Sequence, residues 1–372
     1  MDDSRSGDDD RPTVGTVTFS TPDDDERGPR IALNALALRA DGSGVQTYAR
    51  ELLRALPDAW PAARFVARVA SDAPSFDARI VREPVIAGTN GGLRRKLLSA
   101  LRATDADLVH GFDTDQSLRG DTPTIATVHD LALFDVPWAF SRLTGASKRA
   151  IAAASIRRAD ALIAVSSFTA ERILAIFGRD STVIHEAAGP HFRPATEAEI
   201  SDVRHRYQLP ARFVLYVGNH EPRKDLASLG EACRLAGVDL VVAGGAIVST
   251  ALPVNSIVIG YVPDADLAAI YGAADVVGYV ARYEGFGLPP IEAMASGGCV
   301  MATRIGALTE VAAEGIEFVP QGEPEGQRDA IVELLQDPER AAHRRRYAID
   351  EASKLSWTRA AAETVAVYKH AL

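Results

Sequence analysis

The chain has 372 residues, long enough for about two domains of ordinary size, and its formal net charge of −10 argues against a protein that binds nucleic acid. Its two cysteines, Cys233 and Cys299, fit a reduced compartment better than a disulfide framework, and no apolar run approaches the roughly 20 residues that a membrane span needs. Because no signal peptide is visible either, the sequence predicts a soluble protein of the cytoplasm.

The head of the chain, residues 1–28, is predicted to be a mostly disordered acidic tail. Nine acidic side chains and four arginines lie within residues 1–30, which gives this stretch a net charge of −5. Apart from the short segment TVGTVTFS it has little to bury, and such a composition does not support a packed core.

Residues 29–190 alternate strand and helix patterns and are predicted to form a first domain. The stretch RIALNALAL predicts a strand, and GSGVQTYARELLRAL predicts a glycine turn followed by a helix, because its apolar positions share one face. Further strands are predicted in RFVARV, ADLVHG, TIATV, ALIAV and TVIH, with helical patterns between them.

A loop-like break, HEAAGPHFRPATEAE, separates this half from a second one, residues 191–356. The strands predicted there are FVLYVGN, DLVVAGG, SIVIGYV, DVVGYVA, CVMAT and EFVP. Strands that alternate with helix-length segments imply parallel βαβ units, so we predict an α/β protein with two doubly wound sheets that face each other. Because ligands of such sheets bind beyond the carboxyl ends of the strands, the site residues are expected just after strands.

Two carboxylates flank a glycine-proline turn in the segment YEGFGLPPIEAMASGG. Glu284 follows the apolar run VVGYVA, and Glu292 lies near the start of the helix PIEAMAS. Carboxylates accept hydrogen bonds from vicinal hydroxyls, and the amides of a glycine turn at a helix N-terminus suit an anion. Taken singly, Glu292 would be an acid favoured by the helix dipole and Glu284 a solvated loop acid. Together they predict a grip on a sugar and a ribose.

The segment EGFGLPPIEAMASG resembles the E-x7-E signature of retaining glycosyltransferases of family 4, which have the GT-B fold of two Rossmann-like domains around a cleft. The resemblance covers most of the chain from about residue 29. It implies that Glu284 contacts the donor sugar in catalysis and that Glu292 holds the nucleotide ribose. The turn that would help to hold the diphosphate consists of Gly285, Phe286, Gly287 and Leu288.

A second segment, FVLYVGNHEPRKDL, agrees with this interpretation. It predicts a strand, a turn and a helix that opens near Lys224, and two cations at a helix N-terminus oppose the helix dipole unless an anion binds there. Arg223 and Lys224 are therefore predicted to bind phosphate, and the alternative is a solvated basic turn. Asn219 stands where the family often has an arginine, and the segment resembles the EPRK branch, in which we expect Arg223 to supply that charge.

The first half contributes two pieces to the implied cleft. GSGVQTY, with Gly42 and Gly44, resembles the glycine-rich loop that approaches the donor phosphate from the opposite side. In TIATVHDLALF, His129 ends a strand, and the family's VHD histidine faces the donor sugar, so His129 is a second catalytic candidate. The alternative for His129 is a capped or structural histidine. His185, in the break between the halves, is interpreted as structural.

The resemblance extends to two more segments. VIGYVPDADL is expected to touch the nucleotide base through backbone atoms at Val262. The tail SWTRAAAETVAVYKHAL resembles a terminal helix that crosses back to the first domain. Residues 29–190 with helix 357–372 are thus assigned to the acceptor side, and residues 191–356 to the nucleotide sugar.

The predicted function is transfer of a hexose, with retention of configuration, from a nucleotide-diphosphate sugar to an acceptor hydroxyl. The donor would be similar to GDP-mannose or a UDP-sugar, and the product would be a glycan, a lipid-linked saccharide or a glycosylated metabolite. The alternatives are a non-catalytic relative that binds a nucleotide sugar or a partner, and a GT-B-type epimerase or phosphorylase.

No metal or other cofactor is expected, because cationic side chains already serve the diphosphate. A rival interpretation uses the triplets DTD at 113–115 and DAD at 105–107 and 264–266, which resemble the metal-binding D-x-D of the other large glycosyltransferase fold. Such triplets arise easily in an aspartate-rich chain. Asp113 and Asp115 follow a predicted strand and are the ones to test.

The acceptor is not identified by the sequence. GGLRRKLLSALRA, residues 91–103, is basic and amphipathic, and it could lie on an anionic membrane surface and approach a lipid-linked acceptor. The alternative is a solvated helix that packs on its own domain. Trp138 and Phe140 are candidate apolar walls of an acceptor pocket.

Overall fold

The computed structural model describes residues 28–39, 44–86, 105–114, 120–244, 253, 256–312 and 314–372. The predicted acidic tail apart from Gly28, the glycine Gly42, the basic segment 91–103 and Asp115 lie outside the described residues.

The strands form two parallel sheets. The first sheet contains β1 (Arg30–Asn34), β2 (Arg64–Ala70), β3 (Val81–Ile86), β4 (Leu108–Gly111), β5 (Thr124–Val128), β6 (Ala161–Ala164) and β7 (Thr182–Val183). The second sheet contains β8 (Phe213–Val217), β9 (Asp239–Ala243), β10 (Ser256–Gly260), β11 (Val276–Tyr279), β12 (Val300–Thr303) and β13 (Ile316–Val319). The strand orders are β3-β2-β1-β4-β5-β6-β7 and β10-β9-β8-β11-β12-β13. The predicted α/β class with two doubly wound sheets is confirmed.

Helices connect the strands and cover the sheets. The helices of the first half are α1 (Gly44–Ala59), α2 (Ala132–Asp135), α3 (Arg142–Arg158) and α4 (Ser167–Phe177), with a short 3₁₀ helix at Pro137–Ala139. Those of the second half are α5 (Glu197–Arg206), α6 (Leu226–Ala236), α7 (Asp264–Ala273), α8 (Leu288–Ala295), α9 (Leu308–Val311), α10 (Pro324–Gln336), α11 (Pro338–Ser353) and α12 (Trp357–Ala371), with a 3₁₀ helix at Pro222–Lys224. Within the part of the chain that the structure describes, none of the helices is both long and apolar enough to cross a membrane.

The central strands are short apolar runs because both faces of each sheet are covered. Every residue of β4, β5, β11 and β12 is buried, as expected for parallel strands between helical layers. The first strand is shorter than predicted. Residues 35–38 are buried but form a turn, in which the amide of Leu38 donates to the carbonyl of Ala35 at 3.0 Å. The apolar run extends beyond the end of the strand, which is why the strand was predicted to be longer than it is.

The last helix, α12, returns from the second half to the first. It packs on α1, where the Trp357 ring lies 5.7 Å from the Tyr48 ring between centroids. Tyr368 is fully buried in the core of the first sheet. Strand order reverses between β1 and β4 and between β8 and β11, so the crevices beyond these strands are the expected binding positions.

Candidate active site

Glu284 lies at the centre of a buried charged cluster beyond the carboxyl end of β11. Its Oε2 accepts from Nη1 of Arg223 at 2.9 Å, from Nζ of Lys224 and from the hydroxyl of Tyr279 at 3.1 Å. The Lys224 ammonium also lies 5.0 Å from the centroid of the Tyr279 ring. Adjacent strands β8 and β11 bring the three predicted residues together.

Charge decides the protonation state of this cluster. Burial alone would raise the pKa of Glu284, but the charges of Lys224 and Arg223 outweigh burial and lower it to about 2. For Lys224 burial is the larger effect and lowers the pKa, against the opposing charge of Glu284. The carboxylate is therefore ionised across the physiological range.

Arg223 is held from several sides. Its Nε donates to Oε2 of Glu221 at 2.7 Å, and its Nη1 donates to the carbonyl of Tyr283 at 3.0 Å. Its Nη2 lies 3.9 Å from Oδ2 of Asp130, which belongs to the first half of the chain. The guanidinium thus stands between carboxylates of the two halves.

The first turns of two helices meet across the cleft. Gly287, with φ of +94°, precedes Leu288, the first residue of α8. A Cβ on Gly44, the first residue of α1, would lie 3.7 Å from the Leu288 side chain. At the start of α8 the backbone donor is the amide of Leu288, because the two prolines that follow it have no N–H, and the phosphate-binding role of this turn stays a prediction. Gly42 is not among the described residues.

Gly285 lies in contact with the first half of the chain. A Cβ at this position would sit 1.7 Å from the carbonyl oxygen of His129, so only glycine fits. Its own carbonyl accepts from Oγ of Ser166 at 2.7 Å.

The neighbouring Phe286 is buried, with its ring 6.1 Å from that of His185. His185 lies 3.5 Å from Glu310.

Two further bonds tie the halves together beside this turn. The Tyr283 hydroxyl donates to Oδ2 of Asp135 at 2.8 Å, and Asp135 also accepts from Arg172. Nη2 of Arg50 lies 3.0 Å from Oδ2 of Asp264. Both contacts join the two halves of the chain, while Glu284 itself lines an open cavity.

The charged ring of His129 pairs with Glu186 and not with Glu284. Nδ1 pairs with Oε1 of Glu186 at 2.8 Å, and Nε2 donates to the carbonyl of Phe112 at 2.8 Å. Burial would lower the pKa of His129, but the hydrogen bond and charge of Glu186 raise it to about 9, with help from Asp113. The ring is a cation that rests edge-on against Tyr48, with 4.8 Å between centroids. The backbone carbonyl of His129, rather than its ring, touches the glutamate turn.

Glu292 lies apart from the cationic cluster. Its Oε2 accepts from the hydroxyl of Tyr271 at 3.3 Å. Burial and the charge of Asp264 raise the pKa of Glu292 to about 8, so the side chain is mostly protonated at neutral pH. Val262 is buried just after β10. The two glutamates of the turn thus occupy unlike environments.

Aspartates of the three D-x-D-like triplets contact protein groups in the structure. Asp113 follows β4 and accepts from the amide of Thr114 at 2.6 Å. Asp105 pairs with Arg30 at the opposite end of the sheet, and Asp266 pairs with Arg206. Within the described ranges, no three His, Cys, Asp or Glu side chains come together as a metal site.

An open cavity of about 510 Å³ lies where the sequence suggested an acceptor pocket. Trp138, which is 56% exposed, and Phe140 form part of its wall, together with Arg142 and Arg149. A second cavity of about 510 Å³ lies between α4 and the loop that carries Glu284.

Three polar residues of the site were missed by sequence reasoning. Tyr279 ends β11, Glu186 follows β7 and Asp130 follows β5. Glu186 and Asp130 obey the rule that site residues come just after strands, whereas Tyr279 is the last residue of its strand. That rule, applied to every strand instead of only the motif-bearing ones, would have found Glu186 and Asp130.

Comparison with known proteins places both halves in described families. Residues 42–187 match the family Glycosyltransferase Family 4, and residues 199–351 match Glycosyl transferases group 1. The O-antigen chain mannosyltransferase B of Escherichia coli is 27% identical over 265 residues, which are 66% of this chain and 70% of that protein.

Two other proteins are similar over most of their length. A D-inositol 3-phosphate glycosyltransferase from Segniliparus rotundus is 27% identical over an alignment of 395 residues, covering 89% of this chain and 85% of that protein. The crystal structure of HepE from Anabaena, in complex with UDP and glucose, has a TM-score of 0.72 at 19% identity and covers 92% of this chain and 100% of that chain. The last likeness is one of fold.

Proposed function

The chain belongs to glycosyltransferase family 4, and we infer from its site that it transfers a hexose, with retention, from a nucleotide-diphosphate sugar to an acceptor hydroxyl. One observation carries the proposal. Arg223 and Lys224 converge on Glu284 beside the facing first turns of α1 and α8. Two cations beside the start of a helix suit a diphosphate, and an ionised carboxylate beside them suits a sugar.

The chemistry follows from where charge develops. As the bond between the anomeric carbon and the diphosphate breaks, negative charge grows on the leaving oxygens and positive charge on the sugar ring. Lys224 and Arg223 stabilise the first, and ionised Glu284 holds the sugar and faces the second. Glu292 accepts or donates a hydrogen bond at the ribose. The same cations make a metal ion unnecessary for the leaving group.

We propose GDP-mannose as the first donor to test, because an O-antigen chain mannosyltransferase is among the relatives. UDP-glucose is the second candidate, because a neighbour of the same fold binds UDP and glucose. The contact expected at Val262 uses backbone atoms and does not discriminate between the bases.

The acceptor is proposed to enter beside Trp138 and Phe140. Arg142 and Arg149 share that cavity, so an acceptor with a hydroxyl near an anionic group would suit it. The enzyme is proposed to work in the cytoplasm, at the inner face of the membrane if the basic segment 91–103 binds anionic lipid.

The test has two steps. Thermal shift with GDP, UDP and ADP identifies the nucleotide, and release of nucleoside diphosphate is then followed from GDP-mannose and UDP-glucose. We expect one diphosphate to raise the melting temperature and the matching sugar donor to be consumed. If no nucleotide shifts the melting temperature and neither donor is consumed, the proposal is wrong.

A further inference from the structure

The peptide that carries Glu284 is held by the first half of the chain on both sides. Before it, the Tyr283 hydroxyl donates to Oδ2 of Asp135 at 2.8 Å. After it, the carbonyl of Gly285 accepts from Oγ of Ser166 at 2.7 Å. Asp135 lies in α2 and Ser166 directly precedes α4, so the position of Glu284 depends on elements of the other half.

Asp135 is itself fixed within the first half. Nε of Arg172 donates to Oδ2 of Asp135 at 2.9 Å and Nη2 donates to Oδ1 at 2.6 Å, so the two side chains form a bidentate pair. Arg172 belongs to α4, and the carboxylate is therefore tied to α2 through its backbone and to α4 through its side chain. The group that accepts from the Tyr283 hydroxyl is thus held by two elements.

The Tyr283 side chain is equally well defined. It is buried, and its ring packs edge-on against that of Phe168 on α4, with 5.6 Å between centroids. Burial and the hydrogen bond to Asp135 raise the pKa of Tyr283, so the hydroxyl keeps the proton that it donates. The backbone carbonyl of Tyr283 accepts from Nη1 of Arg223, which also donates to Glu284. A shift of Tyr283 would therefore disturb both Glu284 and one of its cationic partners.

We propose that Tyr283 and Asp135 are positioning residues for Glu284, a role that rests on the transfer reaction proposed above. Their hydrogen bond aligns the loop that is proposed to hold the donor sugar with the half that is proposed to receive the acceptor. Asp135 lies between Leu133 and Trp138 in the chain, and both of these line the proposed acceptor cavity. The contact therefore joins the acceptor side of the cleft to the sugar side, and it acts on the reaction through Glu284.

A contact that only stabilised the fold would not need this arrangement. The charge of Asp135 is already paired with Arg172 inside the first half, so that half does not require Tyr283 as a partner. The hydroxyl instead comes from the other half, from the residue adjacent to Glu284. A catalytic group works only within a narrow range of positions, and neighbours with locked side chains are what hold it there.

The test removes each end of the hydrogen bond. Tyr283→Phe deletes the hydroxyl and keeps the aromatic ring, and Asp135→Ala deletes the acceptor. Arg172, which loses its partner in the second variant, has a side chain that is 34% exposed and can be solvated. The matched control is Tyr347→Phe, because Tyr347 is an exposed residue of α11 whose ring lies 4.5 Å from that of His343, outside the site.

The full-length single variants and the double variant are assayed with GDP-mannose or UDP-glucose, whichever the wild type consumes faster. Release of nucleoside diphosphate gives kcat and the donor KM, and calorimetry with GDP or UDP gives the affinity for the diphosphate. The melting temperature of each protein reports on folding.

We expect each single variant to lower kcat by about tenfold, the size of effect that one hydrogen bond supplies, with unchanged diphosphate affinity. The double variant should be no slower than the slower single variant, because both substitutions act through one contact. The control should behave as wild type.

A kcat of Tyr283→Phe within about twofold of wild type would overturn the proposal even if the melting temperature fell, because the contact would then be structural only. Losses that multiply in the double variant would overturn it as well, because the two residues would then act independently. A wild type that consumes neither donor contradicts the proposed function itself.

Discussion

Nη1 of Arg223 lies 2.9 Å from Oε2 of Glu284, so the phosphate candidate and the sugar candidate are already bound to each other. This pairing explains how two cations are kept in a buried position before a ligand arrives. A diphosphate that enters between the helix N-termini must share Arg223 and Lys224 with Glu284. The cluster is thus set up to keep a carboxylate ionised while offering cationic charge to an anion.

Removing Lys224 should weaken nucleotide binding. Lys224→Ala is expected to cost about 1.5–3 kcal/mol in nucleoside-diphosphate affinity, the scale of a charged hydrogen bond, measured by calorimetry. It should also lower the free energy of unfolding, because Lys224 is a partner of buried Glu284. Lys354→Ala is the control, since Lys354 pairs with Asp350 on the surface at 2.7 Å. Equal diphosphate affinity in Lys224→Ala and wild type would contradict the phosphate assignment.

The pairing of His129 with Glu186 should make stability depend on pH. The pKa of His129 is raised to about 9, above the value near 6.5 expected for the unfolded chain, so the folded state binds the extra proton. Its contribution is complete below about pH 6.5 and is lost as pH rises through about 9. Glu186→Gln should lower the unfolding free energy by about 1–3 kcal/mol at pH 6 and by much less at pH 9.5. Urea unfolding at both pH values measures it, and an equal loss at both would contradict a charged His129.

The sequence predicted the backbone fold better than the contacts between side chains. Period and turn signals were enough for two doubly wound sheets, and the rule for strand ends brought Glu284, Arg223 and Lys224 to one crevice. Their mutual pairing was not predictable, because it depends on side-chain directions across β8 and β11. Glu186 and His129 are 57 positions apart, so only the fold makes them partners.

Metal removal should leave activity intact. Arg223, Lys224 and the amides of the helix N-termini are expected to neutralise the leaving diphosphate without a cation. Turnover of the preferred donor after exhaustive treatment with EDTA is therefore expected to equal that of untreated enzyme. If turnover is lost on chelation and returns with Mn²⁺ or Mg²⁺, then Asp113 and Asp115 must be examined as ligands by substitution with asparagine.

Replacing Glu284 or Glu292 with glutamine should impair the enzyme in two different ways. Glu284→Gln is expected to bind nucleoside diphosphate at least as tightly as wild type, because the diphosphate no longer shares Arg223 and Lys224 with a carboxylate, and to lower kcat, because the lost charge matters most in the transition state. It should also lower stability, since two buried cations lose their anionic partner.

Glu292 is mostly protonated at neutral pH, so Glu292→Gln should fold normally. Ribose hydroxyls that donate to Glu292 would stabilise its ionised form, and glutamine removes that charged acceptor, so Glu292→Gln should weaken the diphosphate and raise the donor KM. Diphosphate titrations and steady-state kinetics on both variants decide the matter. Lost diphosphate affinity in Glu284→Gln with full affinity in Glu292→Gln would reverse the two assignments.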